Sequence, residues 1–386
     1  MTETATPSTP TPPHRPTPNR PIHVGMPPLD MSGPPVSHFE FWPQHIFYAP
    51  IALQWCWLAL RHRGPGLALL ANPSFPDGGM AGESKLAIFE LLEGQAREAM
   101  ARWTSLTRGP ADATGTAQDM ETAVGLMAAA DLSFPVVAKP DIGCRGVGVR
   151  PIRSRDDLAA YLESFPQGAR LILQEMVEHE AEAGVFYVRL PGEKTGRIFS
   201  LTLKYFPHVI GDGHSTLAEL IAADPRAGLL QHIYLPRHRH RLDMVLPHGE
   251  PFRLAFAGSH SRGTIFRDGA AYITQEMERA FDAIADSIPE FYFGRFDLRF
   301  ESIEKLQRGE GFKLVEINGA GGEATHIWDR KTTLREAYAT LFEQNRLLFE
   351  IGARNRRRGF RAPSIWNLWD AYKREKHLNP LYPVTQ

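Results

Sequence analysis

The chain has 386 residues, 43 of them lysine or arginine and 44 aspartate or glutamate. That length supplies two or three domains and a sizeable core, and the near-neutral balance excludes a nucleic-acid binder that works through bulk positive charge. Two distant cysteines, Cys56 and Cys144, exclude a disulfide framework and zinc-ligand spacing; with no apolar run of the ~18–20 residues that span a bilayer and no signal segment, a soluble cytoplasmic protein is expected.

Residues 1–36 are rich in proline and poor in large apolar side chains, and are expected to stay disordered because they cannot bury enough surface to offset their ordering entropy. Residues 37–116 read as a small α/β N-terminal domain. Within it, Ile46–Leu60 (IFYAPIALQWCWLAL) is apolar nearly all round and predicts a buried helix. The basic Arg61-His62-Arg63 behind it also matches an interfacial membrane anchor. The core reading is preferred, because Leu67–Ala71 looks like a short buried strand and a sheet needs a helix to cover it; peripheral membrane contact is kept as the lesser reading. Gly82-Glu83-Ser84-Lys85 opens a helix over Leu86–Leu92, with Ser84 as its cap and an N-terminus able to receive an anion. The spacing is not that of a P-loop. Gly94–Thr116 lacks a pattern and reads as a linker.

Residues 117–184 and 185–353 read as two further α+β units. Ala117–Ala130 predicts a helix and Phe134–Lys139 a strand that ends in lysine, followed by a loop with Gly143, Gly146 and Gly148. Glycine lets backbone amides approach phosphate oxygens, and Lys139 adds a point charge. Cys144 in this loop has Arg145 beside it but no base, and reads as a small loop residue. Asp156–Ser164 predicts a short helix. Arg170–Val177 and Val185–Leu190 predict strands, and Glu178, Glu180 and Glu182 between them are either ligands or a solvated turn. Ile198–Tyr205 predicts a strand that carries Lys204. In GDGHSTLAELI, Thr216 and Glu219 have the spacing of a capping box. His232–Arg241 (HIYLPRHRHR) reads as a solvated basic loop. Thr274–Ser287 predicts an amphipathic helix and Thr333–Gly352 a final long helix, and residues 354–386 form a basic, then aromatic tail.

The chain is organised around Gly294–Gly322. GRFDLRF and FKLVEIN predict two apolar strands with polar interruptions. The period of two places Arg295 and Asp297 on one face, and Glu316 and Asn318 on one face. Three oxygen donors on neighbouring strands suit magnesium held with nucleotide phosphates; exposed ion pairs on a sheet edge would show the same residues.

RFD followed by VEIN resembles the metal-binding end of the ATP-grasp carboxylate–amine ligases, the family of D-alanine–D-alanine ligase, glutathione synthetase and cyanophycin synthetase. The resemblance spans roughly Phe134 to Ile351, and GDGHSTLAELI is its most specific stretch. It implies an ATP-grasp fold, two α+β lobes with ATP between them. It implies two magnesium ions, or manganese in their place, on Asp297, Glu316 and Asn318. Lys139, Gly143, Gly146 and Lys204 would meet the phosphates. Gln174, Glu175 and Val177 at the hinge would meet adenine, and Glu182, with Glu180 as runner-up, the ribose. Arg295 and Lys204 would act on the transferring phosphoryl group, and His260 and Arg262 on the substrate. The implied reaction joins a small-molecule carboxylate to an amine through an acyl phosphate. A small-molecule kinase and a non-catalytic nucleotide-binding module are the alternatives, and a homo-oligomer is compatible with either.

Overall fold

A computed structural model describes residues 22–32, 34–256, 258 and 263–385. In chain order the elements are helices α1 (Gln44–Phe47), α2 (Ala49–Arg61), α3 (Lys85–Phe89) and α4 (Gly94–Ala99), strand β1 (Trp103–Thr107), α5 (Ala113–Ala129), β2 (Val136–Pro140) and β3 (Arg150–Ile152). Then follow α6 (Arg155–Glu163), β4 (Arg170–Glu175), β5 (Ala181–Val188), β6 (Arg197–Tyr205), β7 (His208–Ile210), α7 (Leu217–Ala223), α8 (Gln231–Arg237), β8 (Pro251–Arg253) and β9 (Ile265–Asp268). The chain closes with α9 (Gln275–Asp286), β10 (Phe293–Phe300), α10 (Ile303–Gln307), β11 (Phe312–Asn318), α11 (Leu334–Arg357) and α12 (Ile365–Leu378). The expected α+β class holds.

The chain divides into two compact units. The larger, His23–Pro207 with Ala255–Gln386, carries two antiparallel sheets. One has the order β1-β4-β2-β3, and the other β11-β10-β5-β6-β9. Tyr161, Leu162, Leu171 and Leu173 fill the core of the four-stranded sheet and its helices α5 and α6. Phe281, Phe291, Phe296, Leu298 and Leu314 fill the core beneath the five-stranded sheet, against α9. The smaller unit, His208–Leu254, pairs β7 with β8 and packs Leu217, Ile221, Leu230 and Tyr234 together. Its helix α7 carries the expected capping box: Thr216 Oγ1 accepts from the Glu219 amide, and the Thr216 amide donates to the Glu219 carboxylate at 2.8 Å.

Three local expectations fail. Leu67–Leu70 is a buried 3-10 turn rather than a strand, since a four-residue apolar run does not distinguish the two. Trp103–Thr107, within the stretch read as linker, is an edge strand paired to β4; its WTSLT sequence is too short and polar to announce itself. The Ile46–Leu60 helix is covered on one side only. Gln54 donates to the Phe342 carbonyl at 2.8 Å and Trp55 meets Phe349 edge-on at 5.0 Å, both on α11, whereas Leu53, Trp57 and Leu60 face outward. With no sheet from Leu67–Ala71 to cover, α2 packs chiefly on α11, with Leu58 against the Leu67–Leu70 turn and Ile51 against Phe39 and Phe47, and keeps an apolar outer face.

Candidate active site

The centre of the site is a row of charged side chains across the five-stranded sheet. Asp297 on β10 lies directly opposite Glu316 on β11, and Arg295 opposite Asn318. Such opposed pairs bring Cβ atoms within about 5 Å. Immediately afterwards the register slips, so that Leu298 faces Leu314 and Val315 is left over as a bulge. Bulges re-aim groups beside functional sites, and the carbonyl of Val315 is turned to accept from Lys139 Nζ at 2.8 Å.

Asp297 is buried and fully engaged. Arg295 grips it with two nitrogens, Nε to Oδ1 at 2.8 Å and Nη2 to Oδ2 at 3.0 Å. Lys204 Nζ donates to Oδ1 at 2.9 Å, and Asn318 Nδ2 to Oδ2 at 3.2 Å. Burial alone would raise the Asp297 pKa, but the Arg295 and Lys204 charges and their hydrogen bonds hold it well below the usual carboxylate range. For Lys204 the balance has the same form: burial disfavours its charge, and Asp297 and Glu182 outweigh burial and raise its pKa. Glu182 closes the network, 3.1 Å from Lys204 and 3.6 Å from Arg299. Two glycines make room for these side chains. A Cβ on Gly184 would lie 3.0 Å from Arg295 Cδ and 3.1 Å from Asp297 Oδ1, and a Cβ on Gly258 would lie 2.1 Å from Glu182 Oε1.

Lys139 comes from the other sheet. It is buried, donates to Gln174 Oε1 at 2.7 Å as well as to Val315, and burial pushes its pKa down to about 8 despite the pull of Glu316. Lys139, held by Gln174, therefore ties the small sheet to β11. The loop after Lys139 is held from several directions. Lys85 Nζ donates to the Gly143 carbonyl at 2.6 Å, and Tyr161 Oη to that of Gly148 at 2.8 Å. Thr385 Oγ1 donates to the Gly146 carbonyl at 2.8 Å and accepts from the Gly148 amide at 3.1 Å.

Of the residues expected from sequence, Arg295, Lys204, Lys139, Gln174, Glu182, Asp297, Glu316 and Asn318 come together in this network. Gly143 and Gly146 lie in the loop that Lys85 and Thr385 hold. Glu175 and Val177 serve neighbours: Glu175 accepts from the Arg102 amide at 3.1 Å, and the Val177 carbonyl accepts from Arg299 at 3.3 Å. His260 and Arg262 lie outside the described residues.

Two residues that the sequence analysis left unassigned belong to the site. Lys85 is buried and stands 3.5 Å from Glu316 Oε1. Glu83 keeps an Oε2 shut off from water with no hydrogen-bond partner among the described residues. Burial pushes its pKa up to about 7, with Lys85 opposing and Glu316 and Glu375 adding to the rise. A lysine directly behind the serine cap of α3 was the available signal: Ser84 accepts from the Ala87 amide as foreseen, and the side chain next to it points into the charged row.

The donor chemistry fits a hard divalent cation. Asp297 and Glu316 are opposed carboxylates, and the Glu316 side chain is about a third exposed and, among the described residues, holds a loose contact with Lys85. For Asp297 to take a cation, Arg295 or Lys204 must turn away, and an anionic phosphate is the partner that would draw them.

No family model matches the chain. Over 242 residues it is 27% identical to the cyanophycin synthetase of a Synechocystis species, a match that covers 58% of this chain and 27% of that protein. The chain thus spans about a quarter of that relative's length. Among solved structures it is similar to the D-alanine–D-alanine ligase of Bacillus anthracis (TM-score 0.38, 13% identity, 72% of this chain and 68% of that one). It is also similar to the bifunctional glutathione synthetase of Pasteurella multocida (TM-score 0.34, 15% identity, 67% of this chain and 36% of that one). The chain resembles the ATP-grasp carboxylate–amine ligases.

Proposed function

We propose that the protein is an ATP-dependent carboxylate–amine ligase that forms an amide through an acyl phosphate. The observation that carries this reading is the buried Arg295–Asp297–Lys204 network, with Glu316 opposed across the ladder and Lys139 reaching in from the second sheet. Four cationic side chains, Lys85, Lys139, Lys204 and Arg295, meet at one place with carboxylates to orient them. Such a set suits a triphosphate whose charge shifts during reaction.

In the proposed reaction an oxygen of the substrate carboxylate attacks the γ-phosphorus of ATP, the bond from that phosphorus to the β–γ bridging oxygen breaks, and ADP leaves. The amine nitrogen then attacks the acyl carbon, the C–O bond to phosphate breaks, inorganic phosphate departs, and the amine proton passes to solvent or a carboxylate. Lys139 and Lys85 bind and orient the phosphates, Lys85 also fixing the glycine loop through Gly143. Arg295 stabilises charge on the transferring group and on the tetrahedral oxyanion. Lys204 is positioned for the same phosphates by Glu182 and Asp297. Asp297, Glu316 and Asn318 would hold magnesium, which supplies charge neutralisation and Lewis acidity when bound. The likeness to a cyanophycin synthetase favours ligation over a reaction that stops at phosphorylation. Among the described residues no helix is long and apolar enough to cross a membrane. The two widely spaced cysteines suit a reducing compartment, and on that ground a cytoplasmic location is proposed.

The test is an ADP-release screen over carboxylic acids with and without amines. ADP release that requires both, with an amide found by mass, supports ligation. A stable phosphorylated product formed without any amine refutes it.

A further inference from the structure

Three chain segments converge on one corner of the larger unit. Arg356, at the end of α11, donates to the carbonyls of Arg63 and His62 just past α2, at 3.1 and 3.0 Å. The approach to α12 lies beside Gly66, where a Cβ would stand 3.3 Å from that of Ala362. Both α2 and α12 expose large apolar side chains. Leu53, Trp57 and Leu60 are 74%, 53% and 79% exposed, and Ile365, Trp366 and Trp369 are 55%, 71% and 49% exposed. Spacings of four and three residues put the α2 set on one face, opposite the face that Gln54 and Trp55 fasten to α11. On α12, Ile365, Trp366, Trp369 and Tyr372, together with Met80, line an open apolar recess of about 550 Å³.

Large apolar side chains grouped in the open on two helices mark an interaction site, and the charges around them identify the partner. Arg61, Arg63, Arg356, Arg357 and Arg361 are all exposed at this corner. The Arg61 guanidinium lies over the Trp57 ring at 5.1 Å. The acid on the exposed part of α12, Asp370, has Lys373 at 3.8 Å. Tryptophan and leucine beside arginines that extend past them is the pattern that seats at a headgroup boundary, with rings among the acyl chains and guanidinium groups on phosphate. A protein partner would call for matching acids, whereas an anionic bilayer supplies both the negative charge and an apolar layer.

We propose that this corner is a peripheral docking surface for an anionic lipid bilayer, with α2 and α12 lying in the headgroup plane. Its helix α12 reaches the edge of the site, where Glu375 accepts from the Gly82 amide at 2.9 Å, but the substitutions below leave that contact untouched, so vesicle binding tests this surface apart from the ligase reading.

The test is co-sedimentation of the full chain with vesicles of phosphatidylcholine alone and with about one third phosphatidylserine. The expected result is binding to the anionic vesicles that weakens as salt shortens the Debye length. Trp57→Ser with Leu60→Ser should lower partitioning at least tenfold, on the order of what two interfacial apolar side chains contribute. Arg61→Glu with Arg357→Glu should lower it by about 25-fold or more, from roughly fivefold per basic residue near the surface. All four side chains are exposed, so thermal melting should not change, and the arginine pair serves as the readout if the apolar pair disturbs folding. Absence of binding to anionic vesicles at low salt overturns the proposal, as does binding that neither variant weakens. Sedimentation velocity covers the competing occupant: a parent that self-associates, and a Trp57→Ser, Leu60→Ser variant that is monomeric, would assign the face to a second copy of the chain and overturn bilayer docking.

Discussion

Replacing Asp297 and replacing Glu316 should have separable consequences, although the two residues face each other across one ladder. Asp297→Asn keeps the shape of the side chain. With its oxygen at the Oδ1 position it still accepts from Arg295 Nε and Lys204, but it no longer carries charge, and the new amide group turns hydrogens on Arg295 Nη2 and Asn318 Nδ2. Removing one partner of a buried ion pair costs about 3–5 kcal/mol, and Asp297 serves two cations. At roughly 2–4 °C per kcal/mol for a domain of this size, the melting midpoint should fall on the order of 10 °C. Glu316→Gln loses only a 3.5 Å contact to Lys85 from a side chain that is 32% exposed. Solvent screening limits that to about 0–1 kcal/mol, a shift of at most a few degrees. Both variants should lose nearly all ATP turnover. Differential scanning calorimetry and an ADP-release assay on the same preparations separate the effects. Parental turnover in a stable Glu316→Gln protein would refute the phosphoryl-transfer assignment; unchanged melting of Asp297→Asn would refute the compensated buried network.

Lys139→Ala should weaken ATP binding or phosphoryl transfer by roughly 10- to 1000-fold, measured by nucleotide titration and steady-state rates; unchanged values would reduce the glycine loop to an ordinary turn. Because burial lowers the Lys139 pKa to about 8, ATP should bind best below that pH and its Kd should rise as the pH passes 8, a dependence that Lys139→Met should abolish. Lys85→Met should raise the KM for ATP about tenfold or more by freeing the Gly143 carbonyl and removing a phosphate charge; an unaltered KM would mark Lys85 as a packing residue. Asp297 has a depressed pKa in the folded state, so its stabilisation is present above the ordinary carboxylate value of about 4 and is lost as the pH falls below it. The parent should therefore lose melting temperature more steeply under acid than Asp297→Asn does.

What the sequence disclosed depended on how local each feature is. The Thr216–Glu219 cap is closed within four residues and could be read directly. Asp297 and Glu316 could be placed because side-chain direction in strands follows a period of two, so two short motifs settle which faces carry the acids. The bulge at Val315 could not be read, since no turn residue marks it; it shows only in the register against β10. Lys85 was hidden because its partners, Gly143 and Glu316, lie on other elements far along the chain. For α2 the composition itself misled: a helix that is apolar all round says nothing about which half is covered, and α11 takes only one face.

The excursion between β6 and β9 has a further consequence. Tyr205, at the end of β6, pairs with Ile265, at the start of β9, so the chain leaves the sheet and returns to it at neighbouring positions. A stretch that leaves and rejoins a sheet at paired positions of neighbouring strands is one that can be gained or lost at little cost to its host. Residues 208–254 pack a core of their own around Leu217, Ile221, Leu230 and Tyr234. Cutting out residues 208–254 and joining the two strands by a short hairpin should therefore leave the five-stranded sheet folded, with its charged row in place.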